Sequence, residues 1–75
     1  FNPTTLIRYQ LAESEKVELN IYNLLGERIA KLVNERQNPG NYVIQFDASD
    51  LSSGIYFYHL KTESFNQVKK MLVIR

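Results

Sequence analysis

The sequence predicts an all-β sandwich, and three observations predict it. Apolar and polar residues alternate over most of the chain, which is the period of a strand with one buried face. Clusters of Gly, Pro, Asn, Asp and Ser interrupt the alternation. The interruptions are closely spaced, as in two-layer folds built from short strands. A length of 75 residues holds one domain, 1–75, and a chain this short buries only about 60% of the surface its unfolded form exposes.

The elements follow in order. In "TLIRYQL" (5–11), Ile7, Tyr9 and Leu11 share one face, with Arg8 and Gln10 on the other. In "KVELNIY" (16–22), Val17, Leu19 and Ile21 alternate with Glu18 and Asn20. The polar connection "AESE" between them predicts an antiparallel hairpin. In "NYVIQFD" (41–47) the face is Tyr42, Ile44 and Phe46, and in "GIYFYHLK" (54–61) it is Tyr56, Tyr58 and Leu60. Ile55 and Phe57 make the second face of 54–61 apolar as well, which predicts a central strand. The last segment, "VKKMLVI" (68–74), is apolar toward its end, and pattern alone assigns it no face. Turn signals stand at "NLLG" (23–26), "NPG" (38–40), "SDLSSG" (49–54) and "TESFN" (62–66). Pro39–Gly40 suits a tight turn, because proline presets φ and glycine tolerates positive φ.

One segment is ambiguous. "LLGERIAKLVNER" (24–36) sets Leu25, Ile29, Leu32 and Val33 at helical spacing among good helix formers. Ile29, Lys31 and Val33 also alternate, and Gly26 is a poor helix start. Periodicity leaves helix and strand both open over 27–35.

Composition excludes several functions. Apolar residues are 44% of the chain, enough for a globular core, and the net charge is +1. Nine basic and eight acidic residues are scattered rather than grouped, unlike the basic stripe that duplex nucleic acid favours. No apolar run approaches the roughly 20 residues of a membrane-spanning helix. The opening "FNPTT" is no signal peptide; if the parent protein has a leader, it lies upstream. With no cysteine, disulfides, thiolate metal sites and cysteine nucleophiles are excluded.

The candidate chemical residues read mostly as structural ones. His59 is the sole histidine, and Phe57 and Lys61 beside it on the strand are not natural orienters of a general base. Asp47 and Asp50 in "FDASDL" fit turn capping better than calcium, which takes six to eight oxygens. Tyr56, after "LSSG", matches the tyrosine corner of sandwich folds, whose hydroxyl bonds back to upstream backbone; core packing of Tyr56 and Tyr58 is the other reading. Tyr56, Phe57 and Tyr58 lack the basic surround that base stacking would need. No nucleophile elbow, phosphate loop, metal set or cofactor site is expected, and the protein is expected not to be an enzyme. The closing stretch Lys69–Arg75 reads physically as a terminal strand, its basic residues guarding an edge against unwanted pairing.

In order, "FNPTT.I.Y.L", "V.L.IYN.LGERIA.LV", "G.Y...FDAS.L.SGIYFY.L" and "KKML" span essentially the whole chain. This ordered set resembles the C-terminal sorting domain of the type IX secretion system, found on surface and secreted proteins of Bacteroidetes. A related family, the immunoglobulin-like domain of flagellar hook-capping proteins, shares the "LGERIA" and "SGIYFY" style of motif. The resemblance implies an immunoglobulin-like antiparallel sandwich of six to seven strands, with "LLGERIA" a turn followed by a strand. It implies a non-catalytic signal that carries an N-terminal cargo domain of the same chain through the periplasm and across the outer membrane. The implied partners are the type IX translocon and a surface sortase-like peptidase, with the cargo released or joined to lipopolysaccharide at the cell surface. Lys69, Lys70, Met71, Leu72, Val73, Ile74 and Arg75 match the family's closing motif and are the expected translocon contacts. Their deletion is expected to abolish export and to leave the fold largely intact. Gly26, Gly54 and Tyr56 match motif positions of structural character. Two departures stand out. The chain is expected to start inside the family's Asn-Pro opening, and Glu63-Ser64 replace a commonly glycine-rich turn, which should alter that hairpin and spare the fold. The alternative function is an immunoglobulin-like accessory interaction or spacer domain, in which the last seven residues would be dispensable for localisation.

Overall fold

A computed structural model describes residues 4–74. Among them the chain forms six strands and no helix: β1 (Thr4–Leu11), β2 (Glu15–Asn23), β3 (Arg28–Gln37), β4 (Gly40–Asp47), β5 (Gly54–Lys61) and β6 (Asn66–Val73). They make two antiparallel sheets, a pair β1-β4 and a four-stranded sheet in the order β3-β2-β5-β6. This is the all-β, sandwich-like architecture that alternation predicts, and β5 is an inner strand as expected.

The predicted hairpin of the first two strands does not form. β1 pairs with β4 from Thr4↔Asp47 to Leu11↔Gly40, while β2 lies in the other sheet between β3 and β5. The short polar link is a crossing between layers. Alternation says which face a strand buries but not which strand it meets, so the nearest-neighbour pairing was unsupported by any physical term. Asn38-Pro39 forms a corner that carries the chain from the four-stranded sheet into the pair.

The core lies between the layers. Ile7, Tyr9 and Leu11 of β1 and Phe46 of β4 face Val17, Leu19 and Ile21 of β2, Val33 of β3, Leu60 of β5 and Met71 and Val73 of β6. Leu19, Ile21, Leu60, Val17 and Val73 are the largest fully buried side chains, each worth about 1.5–3 kcal/mol against an exposed site. Tyr9 and Tyr42, cross-strand partners, stack with ring centroids 5.2 Å apart. Burial pushes the Tyr9 hydroxyl's pKa up, partly offset by its 2.5 Å donation to Gln37 Oε1.

β3 settles the ambiguous segment as strand and explains its helical look. The β2–β3 register jumps twice, from Leu19↔Val33 to Asn20↔Lys31 and from Ile21↔Ala30 to Tyr22↔Arg28. Leu32 and Ile29 are the extra residues. Each bulge opposes two residues to one and shifts the phase of the alternation. Ala30 and Val33, three apart, therefore both pack on the core, a spacing that imitates one side of a helix.

Candidate functional site

The two glycine motifs shape connections at one end of the four-stranded sheet. Gly26, at φ +84°, closes the β2–β3 turn. Asn23 Oδ1 accepts the Leu25 and Glu27 amides at 3.0 Å each, and Gly26 N donates to the Asn23 carbonyl at 3.0 Å. This turn holds Leu24 and Leu25 out in solvent, 67% and 84% exposed. Gly54, at φ +154°, opens β5 beyond the crossing from β4. Two residues on, the Tyr56 hydroxyl donates to the Ser52 carbonyl at 2.9 Å. The β3–β4 corner repeats the device: Gly40 opens the strand, and the Tyr42 hydroxyl donates to the Asn38 carbonyl at 2.6 Å. Tyr42 was not singled out in the sequence, although "GNY" and "GIY" display the same spacing at both strand starts.

Alternation divides the closing stretch in two. Met71 and Val73 point into the core, 7% and 1% exposed. Lys69 and Lys70 are exposed, and Leu72 and Ile74 stand 52% and 59% exposed. Arg75 lies outside the described residues. β6 is the last strand of its sheet and pairs with β5 from Gly54↔Val73 to Lys61↔Asn66. On the face away from the core this sets Ile55 beside Leu72, Phe57 beside Lys70 and His59 beside Val68. Deleting Lys69–Arg75 would therefore remove the last five of the eight residues of β6 and two core side chains. The expectation that the fold survives this deletion largely intact is corrected: large-to-small losses at such sites cost about 2–5 kcal/mol apiece, a sizeable share of the roughly 5–15 kcal/mol that holds a domain.

The turn that launches β6 is held from a distance. Glu15, 6% exposed at the start of β2, accepts the Ser64 amide at 2.9 Å through Oε1. Bonds from Ser64 and Thr62 hold the Glu15 carboxyl below the usual carboxylate range, against a smaller opposing effect of burial. Glu63 answers by accepting the Lys16 amide at 3.0 Å and Arg36 Nη1 at 3.2 Å. Thr62 Oγ1 accepts the Ser64 and Phe65 amides at 3.1 Å. The departure at Glu63-Ser64 marked this turn in the sequence; nothing there named Glu15 as its partner.

The remaining candidates do not converge. Asp47 Oδ1 accepts the Ser49 amide at 2.9 Å, and this local bond lowers its pKa. Asp50 is exposed. His59 Nε2 contacts Asn66 Oδ1, and its ring lies 6.4 Å from that of Tyr22. His59 lines an open groove of about 250 Å³ with Glu18, Asn20, Tyr22, Arg28 and Lys61, and neither aspartate reaches it. Among the described residues no three His, Asp or Glu side chains are grouped to hold a metal ion. A wider groove of about 460 Å³ runs over the β1-β4 pair between Arg8, Tyr9, Gln10, Asn41, Tyr42 and Val43.

A family model described as the secretion system C-terminal sorting domain matches residues 2–75. No curated protein and no solved structure matches the chain.

Proposed function

From the premise that the chain belongs to the type IX secretion-system C-terminal sorting domain family, we propose that residues 1–75 are one non-catalytic export module. It marks a longer cargo protein for passage across the outer membrane. The translocon reads β6, and a surface sortase-like peptidase then processes the arrived cargo, which is secreted or kept at the cell surface. Lys69, Lys70, Leu72 and Ile74 are the contacting residues, continued by Arg75. Met71 and Val73 serve recognition indirectly, by fixing the strand to the core. The observation that carries this reading is the position of β6. It ends the four-stranded sheet with alternate side chains outside, so a strand fixed by the core still offers one side to a receptor.

The test uses surface changes in place of truncation. The chain is fused to a periplasmic carrier in a host with a type IX system, and Leu72→Ser with Ile74→Ser is compared with the unaltered fusion. Export should fall severalfold while the melting temperature of the isolated chain stays within a few degrees. Unchanged export would reject the assignment of β6 as the signal.

A further inference from the structure

We propose that the outer face of the four-stranded sheet holds an acidic saccharide, seated on Asn20 and anchored by Arg28 and Lys61. Such a site is independent of β6 as an export signal, since its residues lie on β2, β3 and β5.

Charge comes first. Basic residues scattered along the sequence are gathered by strand pairing. Residues directly opposite each other in an antiparallel pair share a face. With Val17, Leu19 and Ile21 in the core, β2 turns Lys16, Glu18, Asn20 and Tyr22 outward. Opposite them on that face stand Arg36, Lys31 and Arg28 of β3 and Lys61 and His59 of β5. Lys16, Arg28, Lys31, Arg36 and Lys61 thus share a face on which Glu18 is the acid among these positions. Arg36 is paired with Glu63 at 3.2 Å; among the described residues Arg28, Lys31 and Lys61 form no ion pair. A surface with this excess of one sign concentrates anions.

Hydrogen bonding then narrows the partner. Arg28, Lys61, Glu18, Tyr22 and His59 line the groove of about 250 Å³ with Asn20. Asn20 is 9% exposed, and its Oδ1 is buried with no partner among the described residues. A buried acceptor left without a donor is costly, so the groove calls for a donor. Sulfate and carboxylate groups only accept, and a bare anion leaves Oδ1 unmet. A cation would meet it but faces Arg28 and Lys61. A hydroxyl donates to Oδ1, and its neighbours on a polyol accept from Arg28 and Lys61 and donate to the Glu18 carboxylate. An acid and several hydroxyls on one ring describe a sugar acid. The groove falls just short of the roughly 300 Å³ at which drug-sized pockets begin, which suits one sugar ring with its chain continuing outside. The Tyr22 and His59 rings, 6.4 Å apart and tilted by 47°, give the C–H face of a sugar an apolar wall. They do not form the parallel stack that nucleic-acid bases join. Oδ1 is closed to solvent in the free chain. A hydroxyl reaches it as the long Arg28 and Lys61 side chains turn outward to the acid group, a rotamer change of the kind binding commonly brings.

The probe is a trimer of galacturonic acid. Its controls are the neutral galactose trimer, a glutamate tripeptide and a short single-stranded oligonucleotide. Amide NMR shifts of the chain follow each titration at low salt, where surface charge is least screened. The galacturonate trimer should shift the Asn20 side-chain amide together with the backbone amides of Tyr22, His59 and Lys61. It should bind about tenfold or more tightly than each control. Arg28→Gln with Lys61→Gln, both at exposed positions, should weaken it about tenfold or more. Asn20→Leu removes the unmet acceptor and should erase the preference for galacturonate over the glutamate peptide; if that variant does not fold, the wild-type ranking of the four ligands decides. Equal binding of the galactose trimer overturns the role of the cations, and equal binding of the glutamate peptide overturns that of Asn20; either ends the proposal. Tightest binding of the oligonucleotide makes the face a nucleic-acid surface instead. No binding, or shifts confined to other parts of the chain, overturns the site.

Discussion

The two hairpin turns of the four-stranded sheet differ in how far away their supports lie. The β2–β3 turn is held by its own residues: Asn23 serves the amides of Leu25 and Glu27 and bonds Glu27 Oε1 through Nδ2 at 2.8 Å. The β5–β6 turn adds to its local Thr62 bonds a hold by Glu15 and Lys16, which lie 49 and 47 residues away from the atoms they bond. The first turn is a self-contained unit that displays two leucines. The second is a junction where β2, β3 and the start of β6 are tied together. A local turn forms as soon as its strands meet. The junction exists only when β2, β3 and β5 have paired in one sheet, so the direction in which β6 leaves is set by strands distant in the chain.

The largest expected contrast lies between the strands' side chains at these turns. Met71→Ala, in the strand launched by the junction, should lower the free energy of unfolding by about 2–5 kcal/mol in urea. Leu25→Ser, at the tip of the local turn, should stay within about 0.5 kcal/mol, as exposed substitutions usually do. A large loss at Leu25 would show that the tip packs on something in this chain and would end the contrast.

Next comes the backbone of the local turn. Gly26→Ala adds a methyl group with no heavy atom within 4 Å, so the cost is conformational alone, about 1–2 kcal/mol for a left-handed position. Thermal unfolding measures it. No change would mean that the turn relaxes to another type, and that it is less firmly built than its bonds imply.

The smallest effect is the response of the junction to acid. Bonding in the fold depresses the pKa of Glu15, so the folded state binds a proton there less readily than the unfolded one. That stabilisation is complete above the ordinary glutamate pKa and fades as pH falls through the lowered folded value. Glu15→Gln should flatten the acid limb of a stability-against-pH curve while the neutral limb moves less. Asp47, depressed by its bond to Ser49, leaves a residual slope in the variant. An acid limb identical to wild type would show that the junction does not depend on the Glu15 charge.

Much of the fold was legible because strand alternation is written locally. Ile7, Tyr9 and Leu11, and Val17, Leu19 and Ile21, declared their faces and kept them. The third strand was less legible because two bulges shift its phase at Ile29 and Leu32, and pattern cannot tell a shifted strand from a short helix. Family resemblance decided that case where periodicity could not. In the candidate site, the closing stretch stood out by its lysines. Its division was hidden, because Met71, Leu72, Val73 and Ile74 are all apolar and either pair could have faced inward. The corner bond of Tyr42 escaped notice for lack of comparison with Tyr56, and Glu15 because its partner is distant in the chain.

By itself the sequence determined that this chain forms short strands with one apolar side, and where they break. Only the tertiary structure decided that β1 joins β4 instead of β2, that Met71 and Val73 are the buried half of the final strand, and that Glu15 fixes the turn before it. The physical reason is range. Propensity, alternation and turn chemistry act over a few residues, whereas strand partners and buried bonds depend on which surfaces fit once the two layers close on each other.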